Sequence, residues 1–349
     1  MIQRTQGNLL EANVEALVNT VNCVGVMGKG IALQFKKKFP EMFMPYKKAC
    51  DDGGLVPGVI HIFEREDMLG PRYLLNFPTK RHWKGKSRMD DVEAGLDALA
   101  VIIEEKNIKS IAIPPLGCGN GGLEWSVVSK IIDEKLSHLD SRILVYAPEG
   151  APEAKDISHN TECPKMNSSR AICLKIWHQY FALGYQLTLL EVHKLLYFLQ
   201  EAGQPLRLRF EKGRFGPYAD NLRHVLNRME GHFITGFGDG AQNKPDTPII
   251  PKNEAVGEAD AFLSDSEDED RKESLERLHR VARLIEGFES PYGMELLSTV
   301  HWVVTYDKVS STEEITDAVF DWNARKKKIM KPDHIDLAHR RLKFEGWVS

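Results

Sequence analysis

The chain has 349 residues, of which 42% are hydrophobic and 28% are charged; this length and balance predict a globular protein of two domains. No apolar run approaches the roughly 18 residues that a membrane-spanning helix needs, and the N-terminus lacks the basic-then-apolar pattern of a signal peptide, so we expect a cytoplasmic protein without membrane contact. Five cysteines without a CxxC pair argue against a disulfide framework or a structural zinc site.

The charge is distributed unevenly along the chain. Residues 1–150 carry 19 of the 46 basic and 19 of the 50 acidic side chains, so the formal net charge of −4 lies entirely in residues 151–349. A neutral half followed by an acidic half favours two different binding partners.

Strand-like and helix-like segments alternate through the first 148 residues. The runs ALVNTVN and RYLLNF are typical of buried strands, while GIALQFKKKFP and MDDVEAGLDALAVIIEEKN have apolar side chains at helical spacing. This alternation predicts an α/β domain over residues 1–148, with helices on both faces of a sheet.

A different pattern follows this domain. Residues 149–169 are polar and contain prolines, which predicts a linker. The run TLLEVHKLLYFLQEAG then begins with Thr188 and Glu191 in the pattern of a helix capping box, and further helical runs follow it. We therefore expect residues 170–349 to form a mainly α-helical second domain.

Two glycine-rich loops follow predicted strands, where open α/β sheets bind their ligands. The first, NTVNCVGVMGKGIALQF, and the second, IPPLGCGNGGLEW, each run from a strand through several glycines into a helix. Glycine lets backbone amides approach a phosphate, and the N-terminus of a helix adds positive potential. Neither loop has the Walker or the dinucleotide-binding spacing, but the pair predicts a diphosphate ligand.

The segment NFPTKRHWKGK, residues 76–86, is a predicted strand end followed by a basic loop. We expect Pro78 to end the strand, because proline lacks the amide hydrogen that a sheet needs. The residues alone leave two interpretations open: the loop only holds an anion, or one of its lysines takes part in chemistry.

These motifs resemble a known family. The two glycine-rich loops, with the early Gly7–Asn8 pair, resemble those of macrodomains, the α/β modules that bind ADP-ribose, and the lysine in NFPTK resembles that of DarG-type DNA ADP-ribosylglycohydrolases. The resemblance covers residues 1–148 and implies a mixed sheet between helices. The segment KLLYFLQEAGQPLRLRFEKGRFGPYADNLRHVLNRMEGHFI resembles the helical region of DarG proteins that binds the DarT toxin, and also antitoxin domains of the Panacea type.

The resemblance implies roles in a site for ADP-ribose. Asn22 orients the distal ribose, and Lys80 carries the chemistry. The other implied contacts with ADP-ribose are Asn8, Leu9, Asn19, Gly28, Gly30, Ile31, Thr79, Gly117, Cys118, Gly119, Asn120 and Gly121. Cys118 is expected to be a neutral filler, since nothing nearby in the sequence would lower the pKa of its thiol.

Two positions depart from the patterns of related macrodomains. Many macrodomains have an acid that accepts from the adenine amino group, where this chain has Asn8, whose carbonyl oxygen is still an acceptor. A related group of lysine-dependent hydrolases has an acid in the second loop, where this chain has Asn120. Lys80 is therefore expected to act without that carboxylate.

A lysine beside the distal ribose has two chemical roles open to it. Its amine can attack the opened sugar if burial lowers its pKa, or its ammonium can protonate or stabilise the departing base. A lysine that only contacts phosphate is the alternative without chemistry. The neighbouring Arg81, Lys84 and Lys86 are expected to contact DNA phosphates, and Trp83 either stacks on a base or packs beneath the loop.

Residues 258–270, EADAFLSDSEDED, contain seven acids and no base. Such a run is usually a solvated, mobile loop; the alternative is that its carboxylates, among them Asp265, Glu267 and Asp268, occupy the basic DNA groove of the toxin. Phe215 and Tyr218 are the other expected toxin contacts, as aromatic anchors, and a place in the core is the alternative for both.

The resulting hypothesis is an antitoxin with two functions. An N-terminal macrodomain removes ADP-ribose from DNA bases modified by a DarT-type ADP-ribosyltransferase toxin, with water as co-substrate and without a cofactor or metal. A C-terminal domain binds and neutralises that toxin. Two alternatives stay open: a macrodomain that binds ADP-ribose without turnover, and a hydrolase of protein-linked ADP-ribose.

Overall fold

The computed structural model describes residues 1–66, 70–149, 160–182, 184, 186–241, 243–264 and 268–349. The chain divides into two compact units, one of Met1–Glu162 with Gly238–Ala241 and one of Cys163–Phe237 with Gln242–Ser349. Residues 150–159 of the expected linker lie outside the described residues, so its bounds stay a prediction. No helix in the described part of the chain is long and apolar enough to cross a membrane.

The first unit contains a six-stranded mixed sheet in the order β1-β6-β5-β2-β4-β3. Its strands are β1 (Ile2–Thr5), β2 (Ala16–Asn22), β3 (His61–Glu64), β4 (Tyr73–Lys80), β5 (Ser110–Ile113) and β6 (Arg142–Tyr146). β3, at one end of this order, is antiparallel to β4, and the other neighbouring strands are parallel. The carboxyl ends of the five parallel strands therefore meet at one edge, which is the ligand-binding edge of such sheets.

Helices cover both faces of this sheet, so the predicted α/β fold is confirmed. The helices are α1 (Gly30–Lys38), α2 (Phe43–Asp51), α3 (Met89–Glu105) and α4 (Trp125–Leu136). Phe35 of α1 and Tyr46 of α2 pack into the apolar core on one face, while Leu96 of α3 and Ile132 of α4 pack into the core on the other. The sequence analysis did not predict α2.

The expectation that Pro78 ends its strand is wrong. β4 continues through Pro78 to Lys80, which pairs with Asn22 of β2 after a shift in register. The pairing of β3 with β4 extends to Asn76, so Pro78 lies where one side of β4 has no paired strand and a missing donor costs little. The strand therefore carries Lys80 directly to the end of β2.

The second unit is mainly α-helical, as predicted. Its helices are α5 (Ser168–Ala182), α6 (Leu189–Glu201), α7 (Leu222–Met229), α8 (Asn253–Leu263), α9 (Glu269–Ile285), α10 (Pro291–Thr305), α11 (Thr312–Trp322), α12 (Ala324–Ile329) and α13 (Pro332–Phe344). Two short antiparallel pairs accompany them: β7 (Glu211–Gly213) with β8 (Gly216–Tyr218), and β9 (Ile234–Thr235) with β10 (Ile250–Pro251). The predicted capping box is present, because the backbone amide of Thr188 donates to Glu191 Oε2 at 3.0 Å.

The expectation of a loop across residues 258–270 is wrong at both ends. Residues 258–263 belong to α8, and Glu269 begins α9. Asp268 caps α9, since its carboxylate accepts from the backbone amide of Arg271. The predictions for Asp265 and Glu267 lie outside the described residues.

Candidate active site

The ends of β2 and β4 bring Asn22 and Lys80 together at the carboxyl edge of the sheet. The two residues are paired across the strands, and the backbone amide of Cys23 donates to the Lys80 carbonyl at 3.1 Å. Two side chains that stand 58 positions apart in sequence therefore begin from neighbouring points of the same edge.

The side chain of Asn22 organises the first glycine-rich loop. Its Oδ1 accepts from the backbone amides of Val24 at 3.1 Å and Val26 at 3.3 Å, and its Nδ2 donates to the Val26 carbonyl at 2.6 Å. The buried Tyr46 hydroxyl donates to the Asn22 carbonyl at 2.7 Å. One hydrogen of the Asn22 amide is left over, and it is the group that the predicted contact with a ribose hydroxyl requires.

The second glycine-rich loop folds back on itself and leaves backbone amides unused. Leu123 donates its amide to the Gly117 carbonyl at 3.0 Å, and Ser87 donates its amide to the Gly121 carbonyl at 3.1 Å. In the described part of the chain, the amides of Gly119, Asn120 and Gly121 have no acceptor. Successive unpaired amides of this kind suit an anion such as a diphosphate.

Asn120 is the point at which both loops and Lys80 meet. The Lys80 ammonium donates to the Asn120 carbonyl, and a methyl group added at Gly30 would lie 3.1 Å from the Asn120 side-chain nitrogen. The catalytic lysine predicted from the sequence thus lies against the proposed diphosphate loop, close to the start of α1.

Burial lowers the pKa of Lys80. Its hydrogen-bond partner is a carbonyl, and it forms no ion pair with the described residues. A carboxylate partner would favour the ammonium form and oppose the effect of burial. Lys80 is therefore easier to deprotonate than an exposed lysine.

Comparison with known proteins places this site in a family. The sequence profile of the Macro domain matches residues 18–132. A DNA ADP-ribosyl glycohydrolase from Thermus aquaticus is 46% identical over 339 residues, which cover 97% of this chain and 92% of that protein. The chain belongs to the DNA ADP-ribosyl glycohydrolase family.

Two further proteins resemble part of this chain. The solved macrodomain of Mycobacterium tuberculosis DarG is 49% identical, covers 43% of this chain and 99% of its own, and has a TM-score of 0.42. A DNA ADP-ribosyl transferase–DNA ADP-ribosyl glycohydrolase fusion protein from Thermosipho africanus is 35% identical over 158 residues, which cover 41% of this chain and 41% of that protein.

The other predicted ligand contacts of this glycohydrolase have unequal access to a ligand. Asn8 caps the short helix Leu9–Glu11, with its Oδ1 accepting from the Leu10 amide at 3.1 Å. Asn19 is fully buried and donates to Asn76 Oδ1 at 2.9 Å across the strands, and its own Oδ1 has no partner. Leu9 and Thr79 are also buried. These contacts stay predictions, as do those of Gly28 and Ile31 near the start of α1.

Cys118 lies in the second loop with a half-buried thiol. Burial raises its pKa to about 11. The thiol is therefore neutral near pH 7, which agrees with a filler and not with a nucleophile.

In the basic loop after Lys80, one cation forms an ion pair with a carboxylate and two do not. Arg81 donates from Nη2 and Nε to Asp91 at 2.9 and 3.2 Å. Lys84 and Lys86 are exposed and form no ion pair with the described residues. Trp83 is also exposed and stacks on His82 with ring centroids 5.4 Å apart, so it does not pack beneath the loop.

Sequence reasoning missed Asp91 and Ser87. Asp91 lies at the N-terminus of α3, and nothing in the sequence pattern indicates that its side chain pairs with Arg81. Ser87 has a buried hydroxyl without a partner beside the second loop, and a methyl group at Gly121 would lie 2.2 Å from it. Its place after the run of basic residues gave no signal of this contact.

The described residues contain no group of three or more His, Cys, Asp or Glu side chains that could hold a metal ion.

The two predicted aromatic partner contacts of the second unit, Phe215 and Tyr218, lie on the β7–β8 hairpin, residues 211–218. Tyr218 is 42% exposed and stacks on His193 with ring centroids 4.4 Å apart. Phe215 is half-buried, with the guanidinium of Arg325 4.7 Å from its ring centroid. Tyr218 is therefore a surface residue, and Phe215 is only partly covered.

Buried and neighbouring side chains hold the carbonyls of this hairpin. Lys194, which is 2% exposed, donates from Nζ to the Pro217 carbonyl at 2.6 Å. Trp322 Nε1 donates to the Gly213 carbonyl at 2.8 Å, and Asn323 Nδ2 donates to the Arg214 carbonyl at 3.1 Å. Burial and the neighbouring Lys326 lower the pKa of Lys194 to about 7. Three side-chain donors from outside the hairpin thus bind its carbonyls.

We expect Gly121→Ala to lower both the stability of the first unit and its affinity for ADP-ribose. The added methyl group would lie 2.2 Å from Ser87 Oγ and 2.3 Å from the Gly117 carbonyl oxygen, and overpacking of this kind costs about 1–3 kcal/mol. Thermal unfolding and calorimetric titration with ADP-ribose measure the two effects.

Gly119→Ala is the matched control, because a methyl group at Gly119 meets nothing within 4 Å. Its melting temperature should equal that of the unaltered chain. Unchanged stability and affinity in Gly121→Ala would contradict the account of the loop.

Proposed function

We propose that this glycohydrolase removes ADP-ribose from DNA bases, with Lys80 acting at the ribose–base bond. One observation carries the proposal: the Lys80 ammonium lies on the Asn120 carbonyl, beside the unpaired amides of Gly119 to Gly121. When the diphosphate of ADP-ribose binds to those amides, the distal ribose attached to it lies close to the lysine. The remaining hydrogen of the Asn22 amide then donates to a ribose hydroxyl and orients the sugar.

DNA as the carrier of the ADP-ribose is supported by the basic loop and by the family. The exposed Lys84 and Lys86 follow Lys80 closely, and lysines in such a position bind phosphates without regard to sequence. The exposed Trp83 offers a face on which a neighbouring base can stack. The full-length relative from Thermus aquaticus is itself named for action on DNA.

Two chemical roles of Lys80 agree with its surroundings. As a free amine it attacks the anomeric carbon of the opened sugar; as an ammonium it donates to the departing base. The lowered pKa of Lys80 makes the amine more accessible, and the absence of a carboxylate at position 120 removes a group that would hold the ammonium form.

We expect Lys80→Ala to lower the rate of ADP-ribose release from a modified oligonucleotide by about 100-fold or more, the lower end of the effect of one acid–base group. ADP-ribose affinity should remain measurable, because the loop amides are unchanged. Single-turnover release followed by chromatography is the measurement.

The pH dependence of the wild-type release rate separates the two roles of Lys80. A rate that rises with pH and levels off above the lowered pKa of Lys80 requires the amine, whereas a rate that falls through that pKa requires the ammonium.

Lys106→Ala is the matched control, since Lys106 is an exposed lysine at the far end of α3. Release by the unaltered chain and by Lys80→Ala at equal rates would exclude a catalytic lysine. ADP-ribose binding without release would favour a protein that only binds ADP-ribose, and release from modified protein alone would favour a protein-directed hydrolase.

The second unit has a separate role in this proposal: it binds and blocks the DarT-type transferase toxin that modifies the DNA, so that the whole chain is an antitoxin. Support comes from the Thermosipho africanus relative, which joins a DNA ADP-ribosyl transferase and a glycohydrolase in one protein. The net charge of −4 lies in the C-terminal half, and a transferase acting on DNA needs a basic groove that carboxylates complement.

The β7–β8 hairpin is the proposed aromatic contact with the transferase. Its carbonyls are fixed by Lys194, Trp322 and Asn323, so little conformational freedom is lost when a partner binds. Tyr218 and Phe215 are side chains of the type that contributes most to protein interfaces.

We expect Phe215→Ala and Tyr218→Ala, each in the full Lys80→Ala chain, to weaken binding of the transferase at least tenfold, since anchor truncation typically costs more than about 1–2 kcal/mol. The Lys80→Ala background separates binding of the transferase from reversal of its product. Phe344→Ala is the control, because Phe344 is an aromatic residue of α13 that is 83% exposed. Binding by surface plasmon resonance that is equal in all three variants would remove the hairpin from the interface.

A further inference from the structure

A pocket lies where β2 and β4 end, at the carboxyl edge of the sheet. Its volume is about 540 Å³, and its lining residues are Cys23, Val56, Pro57, Arg81, Asp91 and Ala94. Cys23 directly follows Asn22 on one strand, and Arg81 directly follows Lys80 on the other. The Cys23 amide also donates to the Lys80 carbonyl at 3.1 Å. The pocket therefore begins one residue after Asn22 on one strand and one residue after Lys80, the proposed catalytic lysine, on the other.

The walls of this pocket combine apolar surface with one fixed ion pair. Val56, Pro57 and Ala94 contribute apolar surface. Asp91 is 5% exposed, and its carboxylate accepts hydrogen bonds from Nε and Nη2 of Arg81. A guanidinium has five N–H groups, so three remain, and the Arg81 side chain is 62% exposed. The carboxylate thus holds the guanidinium in place while leaving donors available to a ligand.

We propose that this pocket is the subsite for the nucleobase that carries the ADP-ribose, with Arg81 donating to a carbonyl oxygen of that base. The inference rests on the proposed function, because the base is joined to the sugar on which Lys80 acts. Apolar walls with a few polar groups are what a small planar ligand requires. Arg81, predicted from the sequence to contact DNA phosphate, is here assigned to the base, because Asp91 turns it into the pocket wall.

The arrangement matches the charge that develops during hydrolysis. The bond between the anomeric carbon and the base nitrogen breaks, and its electron pair remains with the base. The oxygen of water bonds to the anomeric carbon, and one proton of that water ends on the base nitrogen. Negative charge spreads from the nitrogen to the conjugated carbonyl oxygen before that proton arrives, and a guanidinium fixed beside this oxygen stabilises the charge.

The Cys23 thiol of the pocket does not oppose this stabilisation. Burial raises the pKa of the Cys23 thiol to about 11, so the thiol adds no negative charge near pH 7. Asp91 is the positioning residue, since it acts through Arg81. Its carboxylate lies nearly buried behind the guanidinium.

The test uses the full chain and two readouts: ADP-ribose affinity by calorimetry, and the single-turnover rate of ADP-ribose release from a modified oligonucleotide. We expect Arg81→Gln to lower the release rate at least tenfold with ADP-ribose affinity within twofold of the unaltered chain. Arg81→Lys should recover part of the release rate that Arg81→Gln loses, because lysine restores the positive charge but not the planar set of donors of the guanidinium. Asp91→Asn should lower the rate too, and the double variant should be no slower than Arg81→Gln alone, since both act through one group.

Asp97→Asn is the matched control, because Asp97 is an exposed acid of α3 that pairs with Lys135 at 2.5 Å. Val56→Trp fills the pocket from a side chain that is 48% exposed, and it should slow release without changing ADP-ribose affinity. Rates within twofold of the unaltered chain for Arg81→Gln and Val56→Trp would overturn the base subsite while leaving the proposed function intact. Loss of rate and of ADP-ribose affinity in equal proportion would also overturn it, and absence of release by the unaltered chain would overturn both proposals.

Discussion

The hydrogen bond from the Lys80 ammonium to the Asn120 carbonyl joins the parts of the site that the sheet alone does not join. β2 and β4 place Asn22 and Lys80 side by side. The second glycine-rich loop follows β5 and meets Lys80 through this contact. A carbonyl acceptor pairs with the partly buried ammonium without adding a negative charge. Burial therefore lowers the pKa of Lys80, which a carboxylate at the same place would oppose. The asparagine at position 120 is thus consistent with a lysine that can lose its proton.

Much of the first unit could be predicted from local pattern, because the pattern reflects burial. ALVNTVN is apolar, lies at the centre of the sheet, and forms β2 over the predicted residues. The strand end predicted at Pro78 is wrong, because a missing donor matters only where a strand is paired. The pairing of β3 with β4 ends at Asn76, and tertiary structure, not local sequence, determines that end. α2 escaped prediction because Pro45 argues against a helix, yet proline is tolerated in a first turn.

The site was predictable where it depends on glycine and not where it depends on contacts between elements. The two loops were found because close backbone approach requires glycine, and a methyl group at Gly121 would indeed collide with its own loop. The partner of Lys80 could not be predicted, since every residue has a carbonyl. Asp91 lies ten positions from Arg81, and only the packing of α3 against β4 brings the two side chains together.

The central claim is that the unpaired amides of the second loop bind the diphosphate and thereby place the distal ribose at Lys80. A crystal structure of the full Lys80→Ala chain with an ADP-ribosylated oligonucleotide tests it most directly. The account predicts diphosphate oxygens on the amides of residues 119–121 and the ribose–base bond within reach of a lysine side chain restored at position 80. A diphosphate bound elsewhere, or a ribose–base bond beyond the reach of position 80, would contradict it.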